Sequence, residues 1–161
     1  MRIYIAASFP NKDKAQALRE YLREKGHVIT SRWLDGHNAM YGMQPQFALM
    51  DAEDVASAEV LVCMTGDTLT RGGRHAEVGM AIALRKPIIL YCEDFAEKAR
   101  EMVFHHHPLC ESACMRLDLI GLLQFWEVAK GNGSWEHEID RLCRPAASTK
   151  SSETDTSVAK S

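Results

Sequence analysis

The chain opens with a short apolar run at residues 2–7, passes through Ser8, Phe9, Pro10 and Asn11, and then sets Ala15, Leu18 and Leu22 at helical spacing. That pattern predicts a strand, a loop and an amphipathic helix. Gly26 stands where a helix C-cap belongs, and residues 27–33, with Val28, Ile29 and Thr30, predict a second strand. After a turn-rich stretch at 35–42, Pro45 suits the first turn of a helix carrying Phe47, Met50, Asp51, Asp54 and Ala58. Residues 60–64 are apolar without alternation, as in a parallel strand covered on both faces. The loop 65–73 holds Gly66, Gly72 and Gly73 with Thr65, Thr68 and Thr70, and feeds a helix predicted from Arg74 to Arg85. Residues 87–92 predict another buried strand.

Strands alternating with helices at this spacing imply right-handed crossovers and a doubly wound parallel α/β sheet. Ligands of such sheets bind beyond the carboxyl ends of the strands, so the loops after the first three strands matter most. Further on, residues 94–100 predict a charged helix and His105, His106, His107 and Pro108 a break. Residues 117–130 have the length and apolar stripe of a helix, and Ser134-Trp135-Glu136-His137-Glu138 opens a last one with a pattern like a capping box. Both are expected at the sheet edge or against a partner. From Ala146 the composition turns to Ala, Ser, Thr, Lys and Asp, which buries too little apolar surface to order itself. The expected organisation is one domain over residues 1–145, with extra C-terminal helices, and a disordered tail over 146–161. No internal repeat is found.

With 161 residues, 46% of them hydrophobic and 25% charged, the chain matches an ordinary globular domain. A net charge of −3 offers no basic excess for a polynucleotide, so no nucleic-acid partner is expected. No stretch approaches the ~20 apolar residues of a membrane span, and the first residues do not form a secretory signal. A cytoplasmic location with no membrane partner follows as the expectation. Cys63, Cys92, Cys110, Cys114 and Cys143 are an odd set without framework spacing, which favours reduced thiols.

Glu77 is the only acid in the helix predicted at 74–85, whose other residues include Ala76, Val78, Gly79, Met80, Ala81, Ile82, Ala83 and Leu84. That helix is apolar on all sides and is expected to be largely buried. Its acid is either a structural carboxylate favoured by the helix dipole or a catalytic group aimed at the strand ends. Asp51 shares its helix with Glu53 and Asp54, where most acids merely solvate a face. Two carboxylates converging beyond the strand ends would supply a nucleophile and a general acid, the pair that cleaves glycosidic bonds.

The loop residues Thr70, Arg71, Gly72, Gly73, Arg74 and His75 bring N–H groups, hydroxyls and cations to a helix start, which suits an anion. They form neither a Walker motif nor a dinucleotide fingerprint, and a tight turn with solvated arginines is the plain alternative. Ser8 sits on the first strand-end loop without the glycines of a nucleophile elbow. Phe9 and Trp33 follow the first two strands, either as stacking surfaces for a planar base or as ordinary core. The histidines at 105–107 with Cys110 and Cys114 fit no established metal-ligand spacing, so an interface loop is expected there and no metal.

Three segments together resemble nucleoside 2-deoxyribosyltransferases and related nucleotide N-glycosidases. They are Tyr4 within Arg2-Ile3-Tyr4-Ile5-Ala6-Ala7-Ser8-Phe9, Asp51 within an Asp-x-x-Asp-Val-x-x-Ala-Glu-Val-Leu-Val run, and Gly73-Arg74-His75-Ala76-Glu77-Val78-Gly79-Met80-Ala81. The resemblance covers residues 1–108, and Lys86-Pro87-Ile88-Ile89-Leu90 adds to its most specific part. It implies a flavodoxin-like doubly wound domain acting on the N-glycosidic bond of a nucleoside or its 5′-monophosphate. Glu77 would be the nucleophile giving a covalent glycosyl-enzyme, Asp51 would protonate or orient the base, and Tyr4 would hydrogen-bond Glu77. Ser8, Phe9, Trp33, Arg71, Gly72, Gly73 and Arg74 would bind substrate.

The resemblance further implies a homo-oligomer in which a neighbouring subunit completes the site, with His105 and His106 as the candidates here. No cofactor is implied. Arg71, six residues before Glu77, stands where the nucleoside-handling branch resembles an acid and the nucleotide-handling branch a serine; arginine fits a phosphate. A second base or water would resolve the intermediate, making a transferase or a hydrolase. The competing readings are a strict nucleotide hydrolase, a nicotinamide-dinucleotide glycohydrolase and a non-catalytic nucleotide-binding module.

Overall fold

The computed structural model describes residues 1–36, 44–66, 73–93 and 103–144. Among these, five strands form one all-parallel sheet in the order β2-β1-β3-β4-β5, where β1 is Arg2–Ala6, β2 Val28–Ile29, β3 Val60–Met64, β4 Ile88–Tyr91 and β5 Cys110–Ala113. The helices are α1 (Lys12–Glu24), α2 (Gln44–Ser57), α3 (Gly73–Ala83), α4 (Arg116–Gly131) and α5 (Trp135–Cys143). The chain leaves β1 towards β2 and then returns to build β3, β4 and β5 on the other side. Ligands of doubly wound sheets bind beyond the strand ends at such a reversal.

Strand periodicity sorts the core into two layers. Ile3, Ile5, Val60, Val62, Met64, Ile89 and Tyr91 pack with residues of α1, α4 and α5, including Leu18, Leu22, Leu123 and Trp126. Tyr4, Ala6, Leu61, Cys63, Ile88 and Leu90 pack on the other face with Val55 of α2 and Val78 and Ala81 of α3. The five-residue run of β3 is buried throughout, as its lack of alternation predicts. Gly26 has φ +86, and the His27 N–H reaches the Leu22 carbonyl at 3.1 Å, so α1 does end in a glycine cap.

Four expectations are corrected. The second strand spans only Val28–Ile29, because the chain turns into a 3-10 segment at Arg32–Asp35. There the Trp33 indole N–H donates to the Ile5 carbonyl at 2.9 Å, folding the backbone over the end of β1 instead of along its edge. The α3 helix buries Arg74, Val78 and Ala81, but Ala76 and Ala83 are exposed and Leu84, just past its end, is 49% exposed. No further layer of the described residues covers its outer side. Ser134 makes no capping box: its hydroxyl donates to Asn132 Oδ1 at 2.7 Å and its backbone is already helical. The carboxylate cap lies instead at the start of α4, where Asp118 accepts the Met115 N–H at 3.0 Å. Finally, β5 follows the histidine break as an edge strand that the sequence pattern did not reveal. The helix expected at 94–100 and the tail at 146–161 lie outside the described residues.

Candidate active site

Tyr4 sits in the middle of β1, is fully buried, and points to the α2–α3 side of the sheet. Its hydroxyl donates to Glu77 Oε1 at 2.8 Å. Glu77 lies early in α3 (Gly73–Ala83). Its second oxygen, Oε2, is buried and has no hydrogen-bond partner among the described residues. A buried acceptor left without a donor is costly, which is why such atoms concentrate at functional sites.

Three influences act on the Glu77 carboxyl. Burial is the largest and pushes it up; the Tyr4 hydroxyl pulls it down; the charge of Asp51 pushes it up again, with the outcome at about 7. The Tyr4 phenol is driven far above its ordinary value, first by burial and then by the charges of Glu77 and Asp51. Tyr4 therefore stays protonated and always donates. Asp51 is partly buried in α2, close enough for its charge to act on both partners. The structure thus brings Tyr4, Asp51 and Glu77 from three elements to one place at the carboxyl side of the sheet.

The remaining candidates separate. Trp33 is partly buried, packs against both core layers, and is held by its bond to Ile5. Ser8 is buried and accepts from the Asn11 side chain at 3.2 Å, whereas Phe9 is 67% exposed beside the Lys12 ammonium, 5.9 Å from its ring centre. Gly73 is exposed at the start of α3. Arg74 is not a solvated arginine: it is buried and donates to the Met64 carbonyl at 2.8 Å, closing the end of β3. Arg71 and Gly72 lie outside the described residues. His105 is fully buried within its own chain, its ring 5.5 Å from that of His75, and His106 is exposed.

Sequence reasoning gave no role to Arg32, and quoted Asp54 only as the second acid of the Asp-x-x-Asp motif. In the structure Asp54 is buried and accepts from Arg32 Nε at 2.6 Å and from the Arg32 N–H at 2.8 Å. No local signal announced the pair, since Arg32 and Asp54 lie 22 positions apart in the chain. Among the described residues, no group of three or more His, Cys, Asp and Glu is placed to hold a metal ion. No described helix is long and apolar enough to cross a membrane.

A parallel α/β sheet thus carries, on its α2–α3 face, a glutamate held by a buried tyrosine with a second acid close enough for its charge to act on it. The sequence of residues 3–125 matches the family model for nucleoside 2-deoxyribosyltransferase, and the chain belongs to that family. The match runs past residue 108, through β5 and into α4. Among solved structures, the chain resembles the CMP N-glycosidase BcmB of Clostridium botulinum at 21% identity and TM-score 0.51, covering 74% of this chain and 99% of that one. It also resembles BlsM in solution at 20% identity and TM-score 0.54, covering 91% and 96%. A 2-deoxyribosyltransferase of Bacillus psychrosaccharolyticus is similar at 21% identity and TM-score 0.50, covering 56% and 72%. At these identities the likeness establishes the fold. No curated protein sequence matches the chain.

Proposed function

We propose that the protein cleaves the N-glycosidic bond of a nucleoside or its 5′-monophosphate through a covalent glycosyl-Glu77 intermediate. The observation that carries this reading is the division of labour on Glu77: Tyr4 holds Oε1 while Oε2 has no donor among the described residues. A carboxylate restrained at one oxygen presents the other as a nucleophile in a fixed direction. Oε2 attacks the anomeric carbon as the bond to the base nitrogen breaks, and the departing pair is protonated by Asp51. The nitrogen of a second base, or water, then attacks the same carbon, the bond to Glu77 breaks, and the acceptor's proton passes to Asp51. The first outcome is a transferase and the second a hydrolase.

Phosphate at the 5′ position is the preferred substrate feature, from the cation of Arg71 in the loop that leads to α3. Phe9, exposed at the end of β1, is available to cover a base, with Ser8, Trp33 and Gly73 shaping the pocket beneath it. Assembly into a homo-oligomer is part of the proposal, supported by exposed Leu49, Leu84, Val103 and Phe104, with His105 and exposed His106 as the candidates to serve a neighbour.

The test is chromatographic release of free base from a panel of ribo- and deoxyribonucleosides and their 5′-monophosphates, with and without an acceptor base. Wild type is expected to release base and Glu77→Ala to lose at least ~10³-fold in rate, the order expected for removing a nucleophile. Exchange that requires the acceptor base means transferase, and release into water alone means hydrolase. Release of nicotinamide from a dinucleotide would move the assignment to that bond. Saturable nucleotide binding with no release from any substrate would overturn the catalytic reading.

A further inference from the structure

We propose that Arg32 is a positioning residue for this reaction, its guanidinium tying the turn of α2 that presents Asp51 to the strand that presents Tyr4. The inference rests on the roles given above to Asp51, Tyr4 and Glu77.

The helix α2 has little else to locate it. Pro45, Gln46, Ala48, Leu49 and Glu53 are exposed, Met50, Asp51 and Ala52 are only partly covered, and its apolar contribution to the core is Val55. Lys86 Nζ donates to the Ala56 carbonyl near its end at 2.9 Å, but the turn that carries Asp51 is held chiefly by Arg32. Arg32 donates through Nε to Asp54 Oδ1 at 2.6 Å, through its backbone N–H to Asp54 Oδ2 at 2.8 Å, and through Nη2 to the Met50 carbonyl at 3.2 Å and Glu53 Oε2 at 2.9 Å. The Met50 carbonyl belongs to the peptide that leads directly into Asp51. Asp51 and Asp54, three residues apart, share a face of the helix.

The other end of the tie is fixed on β1. Ser31 Oγ accepts the Ile5 N–H at 2.6 Å, and the Trp33 indole donates to the Ile5 carbonyl at 2.9 Å. The two residues flanking Arg32 are therefore both bonded to the residue that follows Tyr4. A second thread joins the same parts, since the Thr30 hydroxyl donates to the Asp54 carbonyl at 3.0 Å. The charges of Asp51 and Asp54 both act on Tyr4, so this turn of α2 faces the reacting centre. The planar guanidinium holds Asp54, Glu53 and the Met50 carbonyl through nitrogens in fixed relative positions, whereas the single nitrogen of a lysine ammonium cannot reproduce that spacing.

Glu77 reports on the tie. Tyr4 from β1 and Asp51 from α2 are the groups whose hydrogen bond and charge act on it, while β3 and β4 contribute apolar side chains and the thiols of Cys63 and Cys92 to this layer. If Asp51 recedes, Glu77 loses a neighbouring negative charge and ionises more easily.

Arg32→Lys, Arg32→Ala and Asp54→Asn are made in the wild-type and in the Asp51→Asn background. Glu77 is titrated by carbon-13 NMR of its carboxyl, which needs no turnover, and base release is measured as kcat and KM. In the wild-type background Arg32→Lys is expected to lower kcat by ~10-fold with KM within ~2-fold. The Glu77 midpoint is expected to fall by ~0.3 or more, the effect of moving one charge by an ångström or two. In the Asp51→Asn background the same substitution should change neither. Equal effects in both backgrounds, or an unmoved midpoint with activity falling only as the folded fraction by circular dichroism, would overturn the proposal. Should Arg32→Ala fail to fold, Arg32→Lys and Asp54→Asn carry the test. If wild type releases no base from any substrate, the functional reading falls while the titration still decides the tie.

Discussion

A carboxyl group that titrates near 7 instead of 4.5 binds its proton more tightly in the folded chain than in the unfolded one. Glu77 therefore favours the folded state fully below about 4.5, and that contribution is lost as the pH rises through about 7. The difference is on the order of 3 kcal/mol. Glu77→Gln keeps an acceptor for Tyr4 but removes the ionisation, so its Tm relative to wild type should be higher at pH 8 than at pH 5. Under the proposed mechanism catalysis runs in the opposite direction, since a nucleophilic Glu77 must be charged: kcat/KM should fall below an acid limb near 7. Tyr4→Phe removes the one influence that holds Glu77 down, so the limb should move upward and kcat should drop by ~10-fold or more in a pH–rate series. The glutamate was legible as an odd acid in an apolar helix, and its pairing with Tyr4 followed only from the family resemblance. No local pattern links two residues lying 73 positions apart in the chain.

At the scale of elements, helical and strand periods located α1, α2, β3, α3 and β4 because each pairs a clear apolar face with a recognisable stop. The pattern failed where backbone groups are satisfied by distant side chains. Arg32 and Trp33 turn the end of β2 aside through partners in α2 and β1, and their own sequence neighbourhood reads as extended. The sequence reads Arg74 as a substrate-binding cation or, in the plain alternative, a solvated one, because nothing local announces the Met64 carbonyl that it closes. Arg74→Ala should consequently act on stability first, lowering the unfolding free energy by ~2–3 kcal/mol in denaturant titration, with any change in KM secondary. Gly66, one residue further along the same connection than Thr65, has φ +93, and a Cβ there would fall 2.5 Å from Cys92 Sγ. Gly66→Ala is expected to destabilise by more than ~1 kcal/mol, measurable as a lowered Tm.

Across the whole molecule, the strand order puts β1 and β3 side by side and sends their helices to opposite faces, and this sets the site where the chain reverses direction. The doubly wound architecture was readable from alternation alone, whereas β5 was not, because its Cys110–Ala113 stretch is short and its inner positions are only partly buried. The Tyr4 to Glu77 hydrogen bond joins the first strand to the third helix, with β3 inserted between them in the sheet. Local helices can form early, but this bond must wait until a strand from the middle of the chain has docked against the first. The reacting centre is thus among the last features to assemble, and a refolding chain should regain its helical signal before it regains the raised titration of Glu77. On the proposed mechanism, a chain whose core is still open holds Glu77 without its Tyr4 partner, and so without the restraint that would aim its free oxygen.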